Sequence, residues 1–260
     1  MKLRYFQTGF LFFLLSLSLT LEGPALSAAN DWYLIDDGFA VKALRFNGPP
    51  YQAPFKLRIL RIDLDKFSLR VIDCRAWGVD RMEIKTLAKK VQALAAINGG
   101  FFQPDYRPLG LLIVDGQEAN PLRKTDWGIF MIKDQTPYII HTQEFQNRQG
   151  ISQAIQVGPR LVVGGRELHL KKQLAKRSAL GITYKNQIIL VNSEDTQVFA
   201  QDLAHVFWLS EAEGGLACRD ALCLDGGGSA QMYAEYKSLL IDLPGGWPVP
   251  NGLGVFKRYP

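Results

Sequence analysis

The sequence predicts an α+β fold of mixed, largely antiparallel sheets with two main helices. Short runs of alternating or continuous apolar residues follow one another, separated by Gly, Pro, Asn and Asp turn signals. Only two stretches place apolar residues at helical spacing. The composition, 47% hydrophobic and 21% charged over 260 residues, supplies a sizeable core and excludes a disordered chain. No internal repeat and no linker divides residues 30–260, which read as one domain.

The N-terminus stands apart. Lys2 and Arg4 precede an apolar run from Phe10 to Leu21, broken only by Ser16, Ser18 and Thr20, and then come Pro24, Ser27, Ala28 and Ala29. This order describes a secretory signal over residues 1–29, cleaved after Ala28 or Ala29. The run is short for a membrane span, and an uncleaved anchor is the alternative. The expectation is an exported protein, periplasmic or extracellular, with no stable membrane span after cleavage. Loss of Lys2, Arg4 and Glu22 leaves 28 basic and 24 acidic residues, a formal charge of +4. That excess suits anionic glycans but is too small to argue nucleic-acid binding. The cysteines are Cys74, Cys218 and Cys223; Cys218 and Cys223 are close enough in sequence to pair in an oxidising compartment, although three pairings are open.

Taken in order, the runs Phe55–Leu64 and Phe67–Cys74, joined through Asp65 and Lys66, suggest a hairpin. A first helix is expected from Ile84 to Leu94, with Ile84, Leu87, Ala88, Val91 and Leu94 on its apolar face. It leads into a buried strand, Ala95–Ile97, ending at Asn98, Gly99 and Gly100. Gly110–Val114 reaches the hairpin signal Asp115-Gly116, and Trp127–Ile132 and Pro137–His141 continue the short strands. Ala154–Val163 contains Gly158-Pro159-Arg160; Leu168–Lys176 is basic and expected to be exposed. The strands Leu180–Tyr184 and Gln187–Asn192 are joined by Lys185-Asn186. A second helix is expected from about Ala200 to Glu213, and Leu253–Phe256 is a closing strand.

The chemistry concentrates at strand ends. Ala221–Leu224 delivers Asp225 into Gly226, Gly227 and Gly228, followed by Ser229. Consecutive glycines imply positive φ or close approach of a ligand to bare amides, and such N–H groups form an anion nest beside a carboxylate. A tight turn capped by Asp225 is the structural alternative. Asn98, Arg160, Arg177, Asp225, Ser229 and Asn251 together suit a ligand carrying hydroxyls and a negative charge, such as a sugar phosphate. Lone arginines are more often surface or ion-pair residues. Trp127, Tyr106 and Trp247 offer stacking faces, with packing as the commoner role. There is no GxxxxGK[ST] element, and the segment around Ser229 misses both GxGxxG and GxSxG at its last position. A serine hydrolase using His205 or His169 is therefore a minor reading, and the three histidines lie too far apart for a local zinc motif.

The blocks INGGFF (Ile97–Phe102), GPRLV (Gly158–Val162), RSALG (Arg177–Gly181), LDGGGSA (Leu224–Ala230) and VPNGLGV (Val249–Val255) occur in one order. In that order the chain resembles the phosphodiester glycosidase domain family, which includes the enzyme that uncovers mannose 6-phosphate on lysosomal glycans and has many exported bacterial relatives. The resemblance covers nearly everything from Phe55 onward. It implies cleavage between an anomeric carbon and a phosphodiester oxygen, with a sugar phosphodiester or phosphorylated glycan as partner. It assigns catalytic roles to Asp225, Asn98 and Arg177, and substrate binding to Arg160, Gly99, Gly100, Gly226, Gly227, Gly228, Ser229 and Asn251. Two positions depart from the family pattern: Ala230 follows Ser229 where a further Ser or Thr is usual, and Trp247 stands where an arginine is frequent.

A phosphate monoester is already a good leaving anion, so strong acid assistance is less necessary than in ordinary glycosidases. Asp225 then serves as base or nucleophile, Arg177 and Arg160 bind phosphate, and Asn98, Ser229 and Asn251 orient oxygens. Glu194, Asp195 and Asp105 are the candidates for a second carboxylate. No cofactor or metal is required; a version in which Asp225 binds a divalent cation such as Ca²⁺ stays open, since oxygen ligands can be gathered from separate loops. A non-catalytic envelope protein binding glycans or sugar phosphates is the alternative from another class.

Overall fold

The computed structural model describes residues 31–258, so the secretory signal lies outside the described residues. The strands are β1 (Tyr33–Asp36), β2 (Phe39–Phe46), β3 (Phe55–Ile62) and β4 (Phe67–Asp73), then helix α1 (Ile84–Val91). There follow β5 (Ala95–Asn98), β6 (Leu112–Val114), β7 (Gln117–Asn120), β8 (Gly128–Lys133), β9 (Thr136–His141) and β10 (Ile151–Val157). Next come β11 (Arg160–Val163), β12 (Arg166–Glu167), β13 (Leu174–Ala175), β14 (Ser178–Thr183), β15 (Ile188–Ser193) and β16 (Val198–Phe199). Helix α2 (Ala200–Trp208) precedes β17 (Cys218–Cys223), β18 (Met232–Tyr236), β19 (Leu239–Leu243) and β20 (Asn251–Lys257).

These strands make an eight-stranded sheet ordered β1-β2-β3-β15-β14-β17-β11-β12, and two five-stranded sheets ordered β7-β6-β10-β8-β9 and β19-β18-β5-β20-β4. A two-stranded ribbon, β13-β16, completes the set. The fold is α+β as the sequence predicts, and the ladders of the three large sheets are antiparallel throughout. One apolar core joins the three large sheets: Leu60, Leu180 and Leu222 from the first, Phe130 and Ile155 from the second, Ile97 and Leu253 from the third. Helix α2 covers the outer face of the eight-stranded sheet, burying Leu203 and Phe207 against Ala179, Val191 and Ala221. Helix α1 does the same for the third sheet, setting Ile84 and Leu87 among Ile72, Ala96 and Tyr233. The cause is the sequence pattern: continuous apolar runs such as Ile188–Val191 fill strands buried on both faces.

Three expectations are corrected. Strands β3 and β4 do not form a hairpin: β3 is flanked by β2 and β15, and β4 pairs with β20. Asp63 turns the chain between sheets, its carbonyl accepting from Phe67 N at 3.0 Å and its Oδ1 from Asp65 N at 2.9 Å. Helix α1 stops at Val91 because Gln92 is left-handed (φ 58°) and its N–H turns back onto Ala88 and Lys89. Helix α2 stops at Trp208, and Ser210 opens a separate 3-10 turn, Glu211–Glu213, through a capping box with Glu213. The hairpins β6–β7 and β14–β15 form where expected, and the short strands β8 and β9 also pair as a hairpin.

The cysteines are all free and buried. Cys218 and Cys223 stand at the two ends of β17, and five residue steps along the extended strand separate them by about 16 Å, far beyond disulfide reach.

Candidate active site

The end of β5 and the end of β17 meet where the eight-stranded sheet adjoins the sheet of β5 and β20. Asn98, the last residue of β5, is fully buried. Its Nδ2 donates to the Asp225 carbonyl at 2.7 Å. Its Oδ1 accepts from Ser178 Oγ at 2.6 Å and from Gln231 N at 3.1 Å. Asp225 N in turn donates to the Gly99 carbonyl at 2.9 Å. A side chain from one sheet thus braces the loop leaving the other. Asn98 thus uses its Oδ1 twice and one Nδ2 hydrogen in bracing the Asp225 loop, and its second Nδ2 hydrogen has no partner among these bonds.

The Asp225 carboxyl is half-buried, and Oδ1 accepts from Gly226 N at 3.0 Å. Burial pushes its pKa above the ordinary carboxylate value, while the Ser229 hydroxyl and the Gly226 N–H hold it back. Gly227 is left-handed (φ 60°), and Gly227–Ser229 form a single 3-10 turn. A side chain at Gly228 would put its Cβ 2.4 Å from the Trp247 ring. The glycine run is therefore required by a positive φ at Gly227 and by close approach of an indole at Gly228.

Asn251 opens β20 and is buried. Its Oδ1 accepts from Gly100 N at 2.8 Å, its carbonyl from Gly99 N at 3.0 Å, and a Cβ on Gly99 would fall 2.0 Å from Oδ1. Its Nδ2 is buried with no hydrogen-bond partner among the described residues, a donor left for a ligand or water.

Arg177 is buried on the other side of Gly226. Nε donates to the Val198 carbonyl at 3.5 Å and Nη2 donates to the Gln173 carbonyl at 2.5 Å; Nη1 lies 3.9 Å from where a Cβ of Gly226 would sit. Arg160 is half-buried, opposite Leu222 in the ladder and with its stem against Gly128, outside the hydrogen-bonded cluster. Ser229 Oγ accepts from Trp247 Nε1 at 3.0 Å. His205 belongs elsewhere, its Nδ1 2.9 Å from Glu167 on the outer face near α2, which removes the geometry a serine–histidine pair needs.

The three other candidate carboxylates are each ion-paired: Glu194 with Arg58 at 2.9 Å, Asp195 with Lys176 at 3.3 Å and Asp105 with Arg107 at 2.6 Å. Trp127 packs on Phe101 and Tyr106 stacks on Phe102, so these two aromatics are packing residues. Among the described residues no group of three or more His, Cys, Asp or Glu side chains is arranged to hold a metal ion. A cleft of about 350 Å³ lies beside Gln231 and Gly245; Lys85 and Asp242 pair across its wall at 2.6 Å, and Asp225 is not part of its lining.

Sequence reasoning missed Ser178 and Gln231 as parts of the site. Gln231 Oε1 accepts from Ile84 N at 2.7 Å and Nε2 donates to the Trp247 carbonyl at 3.0 Å, so one side chain joins α1, the Asp225 loop and the Trp247 loop. The only available signal was adjacency, since Ser178 follows Arg177 and Gln231 follows Ala230 directly.

Residues 92–256 match the profile of the family described as phosphodiester glycosidase. The uncharacterized protein YigE of Escherichia coli (strain K12) is 26% identical over 197 residues, covering 70% of this chain and 73% of that protein. Among solved structures, the catalytic domain of zebrafish N-acetylglucosamine-1-phosphodiester alpha-N-acetylglucosaminidase, auto-inhibited by its pro-peptide, superposes with a TM-score of 0.67 at 16% identity, covering 85% of this chain and 84% of that one. A hypothetical protein from Synechocystis superposes at 0.59 with 16% identity, covering 85% and 62% of the two chains. A candidate exported protein from Burkholderia pseudomallei K96243 superposes at 0.56 with 14% identity, covering 80% and 75%. At these identities the structures establish the shared fold.

Proposed function

From the premise that the chain belongs to the phosphodiester glycosidase family, we propose that it is an exported hydrolase that cleaves the bond between a sugar anomeric carbon and a phosphodiester oxygen. The observation that carries this reading is the Asp225 carboxyl itself. It is half-buried, raised in pKa, and held by Asn98 beside a glycine turn, whereas the other candidate carboxylates are ion-paired. A carboxylate with a raised pKa is a stronger base in its ionised form.

In the proposed reaction, water attacks the anomeric carbon and passes a proton to Asp225. The C–O bond to phosphate breaks, and its electron pair leaves with the phosphate oxygen. The products are the free sugar and a phosphomonoester, and the proton on Asp225 returns to solvent. Direct attack by Asp225, followed by hydrolysis of the glycosyl ester, gives the same products. Arg177 Nη1 and the unpartnered Asn251 Nδ2 are the donors for the departing phosphate and the sugar oxygens. Among the described residues no helix is long and apolar enough to cross a membrane, and the charged, apolar and small-residue order of residues 1–29 supports export.

The test uses protein lacking residues 1–29 and a panel of sugar-1-phosphodiesters that includes UDP-N-acetylglucosamine, with free sugar and phosphomonoester both measured. Release of both products, lost in Asp225→Asn, supports the hydrolase. Saturable binding without release favours a non-catalytic glycan receptor instead, and activity abolished by prolonged chelation argues for a metal-dependent variant.

A further inference from the structure

Trp127 and Tyr106 pack against neighbouring rings, but Trp247 does not. Among the described residues no aromatic ring stacks on its indole and no cation sits over it. The residue is 51% exposed, and it is nevertheless fixed. Nε1 donates to Ser229 Oγ at 3.0 Å, the Trp247 carbonyl accepts from Gln231 Nε2 at 3.0 Å, and Gly246 N donates to the Gly228 carbonyl at 2.7 Å. A Cβ built on Gly228 would lie 2.4, 2.5 and 2.7 Å from Cζ3, Cη2 and Cε3. A point outside the rim of a ring is much farther from the two flanking atoms than from the nearest one. Near-equal distances to consecutive atoms therefore put Gly228 beneath the face of the ring. One face of the indole lies on bare backbone, and the exposure belongs to the other face and the outer rim.

This platform is attached to the turn that carries Asp225. Gly228 follows Asp225 by three residues, so their Cα atoms are at most about 11 Å apart, a span that a small saccharide covers. A pyranose matches such a surface: its axial C–H groups form an apolar face, while its hydroxyls project from the rim towards water and polar groups. We infer that Trp247 is a specificity-determining residue whose free face stacks on the C–H face of a pyranose in the substrate. Because the indole is held before a ligand arrives, little side-chain freedom remains to be lost on binding. The site then selects by sugar face as well as by phosphate. This inference rests on the proposed substrate site at Asp225.

The test reads binding and does not depend on turnover. N-acetylglucosamine 1-phosphate, glucose 1-phosphate and mannose 1-phosphate are titrated into wild type, Trp247→Phe and Trp247→Ala, with affinity from calorimetry and ligand proton shifts from NMR. In wild type the ring protons of at least one of these sugars should move upfield, as protons over an aromatic face do. Trp247→Phe keeps the face and loses the N–H, so it should retain the shift and bind within about threefold of wild type, whereas Trp247→Ala should lose the shift and bind about tenfold more weakly. A phenylalanine variant as weak as the alanine one would assign the effect to the Ser229 bond and overturn the inference. Wild-type protein that shifts none of the three sugars also overturns it. Should Trp247→Ala fold poorly, nuclear Overhauser contacts between the Trp247 ring and the sugar C–H protons in wild type decide the matter, and their absence overturns the stack. Turnover of the phosphodiester panel that is unchanged in Trp247→Ala rejects the platform and keeps the hydrolase; stacked sugars without turnover keep the platform and reject the hydrolase.

Discussion

Asn98 Nδ2 donates to the Asp225 carbonyl across 127 residues of sequence, at 2.7 Å, while the peptide N–H of Asp225 returns to the residue after Asn98. The two glycine-marked strand ends are thereby one structure. The position of the carboxylate depends on an amide that comes from another sheet.

Removing Asn98 should therefore cost more than a contact. Asn98→Ala leaves the Ser178 hydroxyl, the Gln231 N–H and the Asp225 carbonyl without their buried partner. The expected loss is about 2–4 kcal/mol, read from urea unfolding with an unchanged m-value, together with a fall in turnover.

Asp225→Asn should lower turnover by at least about a thousandfold while the protein melts no lower than wild type. A carboxyl with a raised folded pKa stabilises the fold only at low pH, and that contribution is lost as pH rises through the folded value. Above the folded value the ionised, desolvated group opposes folding and the amide does not, so the variant's Tm is expected to be no lower than wild type. In wild type, kcat/KM should fall as pH drops through the raised pKa, with an acid midpoint above the ordinary aspartate value of about 3.9. A midpoint at or below that value would contradict the burial argument.

Two glycine substitutions should part company. In Gly99→Ala the new Cβ falls 2.0 Å from buried Asn251 Oδ1 and breaks its bond to Gly100, a loss of about 2–3 kcal/mol. In Gly228→Ala the obstacle is the Trp247 ring, which is 51% exposed and must give up its bond to Ser229 Oγ to move outward. Stability should change by less than about 1 kcal/mol, while the Ser229 contact is lost and tryptophan fluorescence shifts to the red.

The thiols should be silent in the folded protein. Burial pushes Cys74 up to about 12 and Cys223 up to about 11, and raises Cys218 well above the ordinary thiol value. Iodoacetamide at pH 8 should leave native protein unmodified and add three labels after guanidinium denaturation, as read by intact mass. A native mass lower by two hydrogens would show a disulfide that the extended β17 forbids.

The sequence by itself determined the α+β class, most strands, both helix starts and the family, because strand and helix periodicity and glycine-marked turns are local properties that neighbouring residues enforce. It also singled out Asp225, Asn98, Ser229 and Asn251, because short polar residues beside glycine have few other reasons to interrupt apolar strands. Only the tertiary structure decided that β3 and β4 part into different sheets, that Cys218 and Cys223 stand apart, and that Asn98 serves as a brace. It also brought Ser178 and Gln231 into the site, although they lie in separate parts of the chain. Those outcomes depend on which strand edges pair and which buried donors meet which acceptors, and such pairings are settled when the sheets pack around their common core.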